Sequence, residues 1–470
     1  MRPRRHRPRP TGKDDYGGGE RSMSESFRLA VFRMPNWLGD AVMALPALDF
    51  FMRRRPDVRV VVACREGLAD LFRAHPAVVG LLAAPLGGWD GFWHGCLRPY
   101  RIVLPSEASL RLPGASGETG DPPAARESSE ALKRRLAAIG DGGAFDLGVL
   151  LPNSFSSAWW LWRLGAARRV GYRRDARGWL LTRRLAADRA ARLRHMTDYY
   201  LQLARAAVEE AASDARAACP TDGLDKDSAT SAPGDGHSGD RLSGVAALEA
   251  DCPRDPTLGL PVPEIRLSAA GEREADRWLR FDGVEDERAD SDRVQTVVMA
   301  PLTLGPAKDW PPERYSELTE RFASAGWRVL LTGTAGQAEA CERIAAGRPG
   351  VLNLAGRTTL SGFFSLLKRC QLFVGNDSGG AHAAAALGAP SVVIYGLSDP
   401  ARTRQLGRRV SVVSDMPTGP EAGHEFRTRP LSDRRLNWRD PAVLRRARDR
   451  LASIPVERAL EAAQRLGVPL

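Results

Sequence analysis

Phe27-Arg28-Leu29-Ala30-Val31-Phe32-Arg33-Met34-Pro35-Asn36-Trp37-Leu38-Gly39-Asp40-Ala41 is the stretch on which the fold turns. Residues 27–33 read as a buried strand, Pro35 and Gly39 impose an irregular turn, and an apolar helix starts at Asp40. A second strand, Val58-Arg59-Val60-Val61-Val62-Ala63, follows that helix. This is a βαβ beginning, and Val-rich runs without alternation belong to a parallel sheet covered on both faces. The pattern returns at Phe145–Leu151 and Arg169–Tyr172, with a helix over 195–211. The second half repeats it, with strands at 296–300, 328–332, 372–375 and 391–395. Helices are predicted between them at 312–325, 336–346, 360–369 and 379–387. The expected class is α/β, with two doubly wound Rossmann-like domains whose ligands lie beyond the carboxyl ends of the strands. The site then falls in the cleft between the domains.

A length of 470 residues exceeds one ordinary core and agrees with two domains. The division predicted is a basic tail (1–26), an N-terminal domain (27–265), a C-terminal domain (266–454) and a closing helix (455–470). Residues 84–143 and 213–258 lose all periodicity in favour of Gly, Pro, Ser and Asp, and read as irregular or disordered insertions. Much of the net charge of +11 sits in Arg2-Pro3-Arg4-Arg5-His6-Arg7-Pro8-Arg9, a disordered tail with no apolar signal region. Met23 opens the first patterned stretch and is a candidate translation start. The basic charge is compatible with nucleic acid, a membrane surface or a small anion. No basic-aromatic recognition motif supports nucleic acid. No run of about 18 apolar residues is present, so a membrane-spanning helix is not expected. The six cysteines lack CxxC spacing, so reduced thiols are expected rather than disulfides or a structural metal.

Four segments leave a strand and enter a helix, where chemistry is expected. In Pro35-Asn36-Trp37-Leu38-Gly39-Asp40, Asp40 reads either as a helix cap or as a general base at the cleft rim. In Leu151-Pro152-Asn153-Ser154-Phe155, Asn153 and Ser154 read as caps or as ligand contacts. The arginines that follow, Arg168, Arg169, Arg173 and Arg174, suit either solvent or an acidic ligand. In Gly305-Pro306-Ala307-Lys308-Asp309-Trp310-Pro311, Lys308 reads as a surface lysine or as a cation for a departing diphosphate. Gly375-Asn376-Asp377-Ser378-Gly379-Gly380-Ala381-His382 opens an Ala-rich helix whose N-terminus suits an anion. There Asp377 and Ser378 are alternatively caps, and His382 a core residue.

Together and in this order, these segments resemble the signatures of glycosyltransferase family 9, the heptosyltransferases. The likeness covers about 27–80, 144–205, 294–406 and loosely the last helix, leaving out the two insertions, the tail and 409–440. It implies the GT-B fold and inverting transfer of a heptose from ADP-heptose to heptosyl-Kdo-lipid A in lipopolysaccharide inner-core synthesis. It implies Asp40 as catalytic base and Lys308 as a catalytic and donor-phosphate contact. Donor contacts are expected at Thr303, Lys308, Thr332, Gly333, Asp377, Ser378, Gly379, Gly380 and His382. Acceptor contacts are expected at Asn36, Trp37, Asn153, Ser154 and Arg169. Asp377 is expected to orient its neighbours or hold a sugar hydroxyl. No metal and no cofactor are implied. The partners implied are ADP-heptose and a lipid A-core acceptor at the inner-membrane surface, with no nucleic acid. The expected location is the cytoplasm, with the cytoplasmic face of the inner membrane as a peripheral site. One departure stands out: Leu302 occupies a position where the family has Gly. The alternatives are another core acceptor, or a nucleotide-sugar epimerase on the same scaffold.

Overall fold

The computed structural model describes residues 29–84, 101–103, 145–187, 193–217, 253–280, 294–396, 398–415 and 441–469. The basic tail and most of the two insertions lie outside the described residues.

The N-terminal sheet contains β1 (Leu29–Arg33), β2 (Arg59–Arg65), β3 (Val78–Ala84), β4 (Arg101–Val103), β5 (Leu147–Leu150), β6 (Arg168–Tyr172) and β7 (Arg183–Leu185). Its order is β4-β3-β2-β1-β5-β6-β7. All pairings are parallel except β3 with β4. Inside the stretch read as an insertion, residues 101–103 are thus an antiparallel edge strand. The C-terminal sheet contains β8 (Thr296–Ala300), β9 (Arg328–Leu331), β10 (Val351–Asn353), β11 (Leu372–Asn376), β12 (Ser391–Tyr395) and β13 (Val410–Ser414). It is wholly parallel, in the order β10-β9-β8-β11-β12-β13.

In each sheet the winding reverses between two neighbouring central strands, β1 and β5 in the first and β8 and β11 in the second. Loops diverge at such a point and leave a crevice beyond the strand ends. All four segments singled out in the sequence leave these four strands. Strands β1, β8 and β11 are buried along their whole length, which explains why their sequences are apolar without alternation.

Helix α1 (Leu38–Arg54) packs against α4 (Met196–Ala217), and α4 runs to residue 217. The predicted disorder from 213 therefore begins too early, and it also ends too late. Residues 253–258 are ordered around Asp255, which is 1% exposed and bonded to Gly407 N at 3.1 Å. In order along the chain, α2 is Asp70–Arg73 and α3 is Phe155–Arg163, and α5 (Ala269–Leu279) packs on α8 (Leu360–Arg369). Helices α6 (Pro312–Ser324) and α7 (Ala338–Ala345) flank β9 and β10, and α9 (Gly379–Ala386) follows β11. Then come α10 (Pro400–Thr403), α11 (Pro441–Ala452) and α12 (Val456–Arg465), the last lying on β12 and β13. No described helix is long and apolar enough to cross a membrane. Cys64, Cys341 and Cys370 are buried free thiols.

The two units meet where α1 and α9 begin. A Cβ placed on Gly379 would lie 2.6 Å from Leu38 Cβ and 2.9 Å from Gly39 N. One on Gly39 would lie 3.0 Å from His382 Cδ2. Two backbones thus touch where a side chain would hold them apart. Gly379→Ala is expected to lower stability by about 1–3 kcal/mol through overpacking. Gly305→Ala, in open space, should leave the denaturation midpoint nearly unchanged. Paired chemical denaturation curves would check this contrast.

Candidate active site

The loop after β1 is anchored beneath by Arg33, whose buried guanidinium donates to Met34 O at 2.5 Å and Asn36 Oδ1 at 2.7 Å. Helix α1 begins at Leu38 with Trp37 as its uncapped N-cap, so Asp40 sits within the first turn and does not cap. Its carboxylate accepts a hydrogen bond from the Tyr200 hydroxyl on α4 and faces Lys308 and Asp377 of the other unit. Burial raises the Asp40 carboxyl above its usual 3.8; Lys308 and Tyr200 oppose the rise and Asp377 adds to it. Tyr200 is itself pushed well above 10, chiefly by burial, and stays a donor. A half-buried carboxyl with a raised pKa at the end of a crevice has the properties of a general base.

Lys308 follows a short 3₁₀ turn, Pro306–Lys308, and its Nζ donates to Asp377 Oδ2 at 2.7 Å. The Asp377 carboxylate is held from the other side by Gln405 Nε2 at 3.2 Å. Burial pushes Asp377 up, but Lys308, His382 and Ser398 together outweigh it and hold the carboxyl below the usual range. It is thus the fixed anion that aims Lys308. Asn376 joins the two loops below this pair: its Nδ2 donates to Pro301 O at 2.8 Å, and its Oδ1 accepts from Trp310 N at 3.0 Å and Tyr315 OH at 3.1 Å.

Ser378 precedes α9 without a side-chain cap bond, and Gly379 and Gly380 form the first turn. His382 is buried against Gly39, and burial pushes its ring down to about 4, leaving it neutral at physiological pH. Nearby, Thr303 Oγ1 donates to Gly305 O at 2.8 Å, and Gln337 Nε2 reaches Thr303 O at 3.0 Å. The Thr332 hydroxyl turns inward to Met299 O at 3.0 Å, and Gly333 O accepts from Gly356 N at 2.9 Å. Leu302 packs on the core beneath the second sheet, whereas Leu304 is 68% exposed.

On the opposite wall, Ser154 caps α3 by accepting from Ser157 N at 3.3 Å. Asn153 Oδ1 accepts from Tyr199 OH at 3.0 Å and Arg177 Nη2 at 3.2 Å. Arg177, which the sequence reading passed over, is fully buried and also holds Tyr172 O and Pro152 O. Arg169 is tied to the main chain instead of the crevice, donating to Leu180 O at 2.6 Å, Ala166 O at 2.6 Å and Ala167 O at 3.0 Å. Its expected acceptor role conflicts with this geometry, because the fork is occupied by carbonyls. Trp37 is 55% exposed, with Arg65 6.0 Å from its ring.

The geometry thus brings together Asp40, Lys308, Asp377 and His382, with the start of α9 alongside. Tyr200 and Gln405 belong with them and were not foreseen. Among the described residues no group of His, Cys, Asp or Glu could hold a metal ion.

The profile of Glycosyltransferase family 9 (heptosyltransferase) matches residues 131–234 and 254–430. The chain belongs to glycosyltransferase family 9. The match takes in parts of both insertions and most of 409–440, beyond the reach of the motifs, but it begins at residue 131 and does not include the 27–80 stretch that carries Asp40. Lipopolysaccharide heptosyltransferase 2 of Salmonella typhimurium strain LT2 is 27% identical over 384 residues, spanning 81% of this chain and 86% of that protein. Its namesake in Escherichia coli K12 is 26% identical over the same shares. The structure of E. coli ADP-heptose lps heptosyltransferase II superposes with a TM-score of 0.59 at 21% identity, covering 93% of this chain and 98% of that one. A family 9 glycosyltransferase from Veillonella parvula DSM 2008 gives 0.61 at 16%, covering 95% and 98%. The fold is therefore GT-B, and the chain is a glycosyltransferase.

The raised Asp40 carboxyl has a consequence for stability. The folded chain keeps that proton to a higher pH than the unfolded chain, so this group takes stability away as pH rises above the ordinary Asp value of about 4. Asp40→Asn, which can still accept from Tyr200, should therefore have a higher melting temperature than wild type at neutral pH. The difference should vanish under acid, as a calorimetric pH series would show.

Proposed function

We propose that this family 9 enzyme transfers a heptose from ADP-heptose to a heptosyl-Kdo-lipid A acceptor, with inversion. The carrying observation is the juxtaposition of Asp40, on one unit, with Lys308 on the other. The ionised Asp40 takes the proton of the acceptor hydroxyl as its oxygen forms a bond to the anomeric carbon. The bond from that carbon to the ADP oxygen breaks, and the electron pair leaves with ADP. A single displacement inverts the centre and needs no covalent nucleophile. Lys308 and the N-terminus of α9 offset the charge that grows on the diphosphate. Asp377 keeps Lys308 in place until the diphosphate arrives. The names of the relatives support the heptose and lipopolysaccharide assignment. We assign no metal, cofactor or nucleic acid to the reaction, and place the enzyme at the cytoplasmic face of the inner membrane, where the acceptor would be presented.

ADP release by the purified chain, given ADP-heptose with and without heptosyl-Kdo-lipid A, tests this reading. Acceptor-dependent release is expected, reduced by about 10²–10⁴-fold in Asp40→Ala and about 10²–10³-fold in Lys308→Ala. The acid limb of kcat/KM should fall above the usual carboxylate range, because the base is Asp40. Release with a different core acceptor would move the assignment within the family. An altered free sugar formed without acceptor would replace it with epimerisation.

A further inference from the structure

We propose that an aromatic and arginine-rich face of the N-terminal unit docks this chain on an anionic phospholipid bilayer. The face is built by α3 and the 3₁₀ turn Gly178–Leu180. Trp179, Phe155, Trp159 and Trp162 form a continuous run, with ring centroids separated by 6.2, 6.4 and 5.0 Å in turn. Trp179 is 62% exposed and Trp162 is 44% exposed, both large indoles facing solvent. The run starts at Phe155, directly after the Asn153-Ser154 loop, and so leads outward from the crevice.

Charge identifies what covers it. From Phe155 to Leu185 the chain carries eight arginines and a single acid, Asp175, but Arg168 and Arg183 pair with Glu210 and Glu209 of α4, and Arg169 and Arg177 are turned to main-chain carbonyls. Arg163 follows Trp162 on α3 and is exposed, and exposed Arg173 runs alongside Gly178, with its Cγ 3.0 Å from where a Cβ would stand there. Indole rings settle at the boundary between acyl chains and headgroups, where an apolar body and a polar N–H are both satisfied. Guanidinium groups beside them are drawn to anionic headgroups. A sugar-binding platform would need hydroxyl-bonding carboxylates and amides beside a flat ring. Here successive rings are inclined to one another by 46°, 20° and 38°, and the exposed charges beside them are Arg163 and Arg173. The proposal rests on the glycosyltransferase reading only for its purpose, which is to bring the crevice to a lipid-linked acceptor. Bilayer binding itself requires no turnover.

The test is flotation of the purified full chain with vesicles of phosphatidylcholine alone or mixed with phosphatidylglycerol. The opening basic segment could add a charge-driven contribution, so the Trp162→Ala/Trp179→Ala double variant is the discriminating reagent. The wild type should float with the mixed vesicles, and the double variant should bind them at least about tenfold more weakly. Arg163→Glu/Arg173→Glu should remove the preference for phosphatidylglycerol. Thermal unfolding and ADP release with a deacylated, soluble acceptor should be unchanged in the double variant. Undiminished flotation of that variant would overturn the proposal. So would intact flotation with a raised KM for the soluble acceptor, which would make the aromatic run a sugar-stacking surface. Failure of the donor or acceptor assignment would leave the flotation result standing.

Discussion

The contact of Leu38-Gly39 with Gly379 is the constraint on which the site depends. It brings the N-termini of two helices, one from each unit, into van der Waals contact. Both ends carry partial positive charge, and Lys308 adds a full one close by. Such an arrangement is unfavourable unless anions are built into it. Asp40 and Asp377 are those anions, one in the first turn of α1 and the other just ahead of α9. They are not equivalent. Asp377 is held by Lys308, Gln405 and Ser398 and keeps its charge, while Asp40, accepting from Tyr200, holds its proton more readily. The difference in partners separates a carboxylate that stays charged and holds Lys308 from one more ready to carry a proton.

Support for this pair extends into both units. Gln405, which holds Asp377, belongs to a strap over residues 404–407. The strap is fixed by His195 Nε2, 2.9 Å from Arg404 O, and by Asp255 at Gly407 N. Thr197 N donates to His195 Nδ1, so the hydrogen lies on Nε2 and points at the strap. Burial also pushes the His195 ring down, which keeps it neutral. His195 precedes α4, the helix that carries Tyr200 to Asp40. One helix start of the N-terminal unit therefore steadies both carboxylates.

The central strands and their loops were legible because each strand is buried on both faces and each loop breaks with Pro, Gly, Asn or Asp. Edge strands were not. Arg183–Leu185 is mostly charged, Val351–Asn353 is only half-buried, and Arg101–Val103 stands inside a stretch without pattern. At the site, Asp40, Lys308 and the Asn376–His382 turn could be picked out as residues in loops at strand ends. Their partners could not, since Tyr200 and Gln405 are distant in the chain and carry no local signal. The arginines illustrate the same limit. Arg169 and Arg177 share one basic stretch, and only the carbonyls at the ends of β5, β6 and their loops determine that Arg177 is enclosed and braces Asn153.

Asn376 shows how narrowly a supporting side chain can be specified. It gives one hydrogen to Pro301 and receives two, from Trp310 and Tyr315, all within the buried floor beneath Lys308. Aspartate would match its shape but set a negative charge against a carbonyl oxygen with no hydrogen between them. Leucine would branch at the same atom, but it is bulkier and would leave three polar groups without company. Glutamine would carry the same chemistry one methylene too far for a closed space. The position is therefore reserved for one side chain of the twenty, though that side chain is wholly enclosed beneath the crevice.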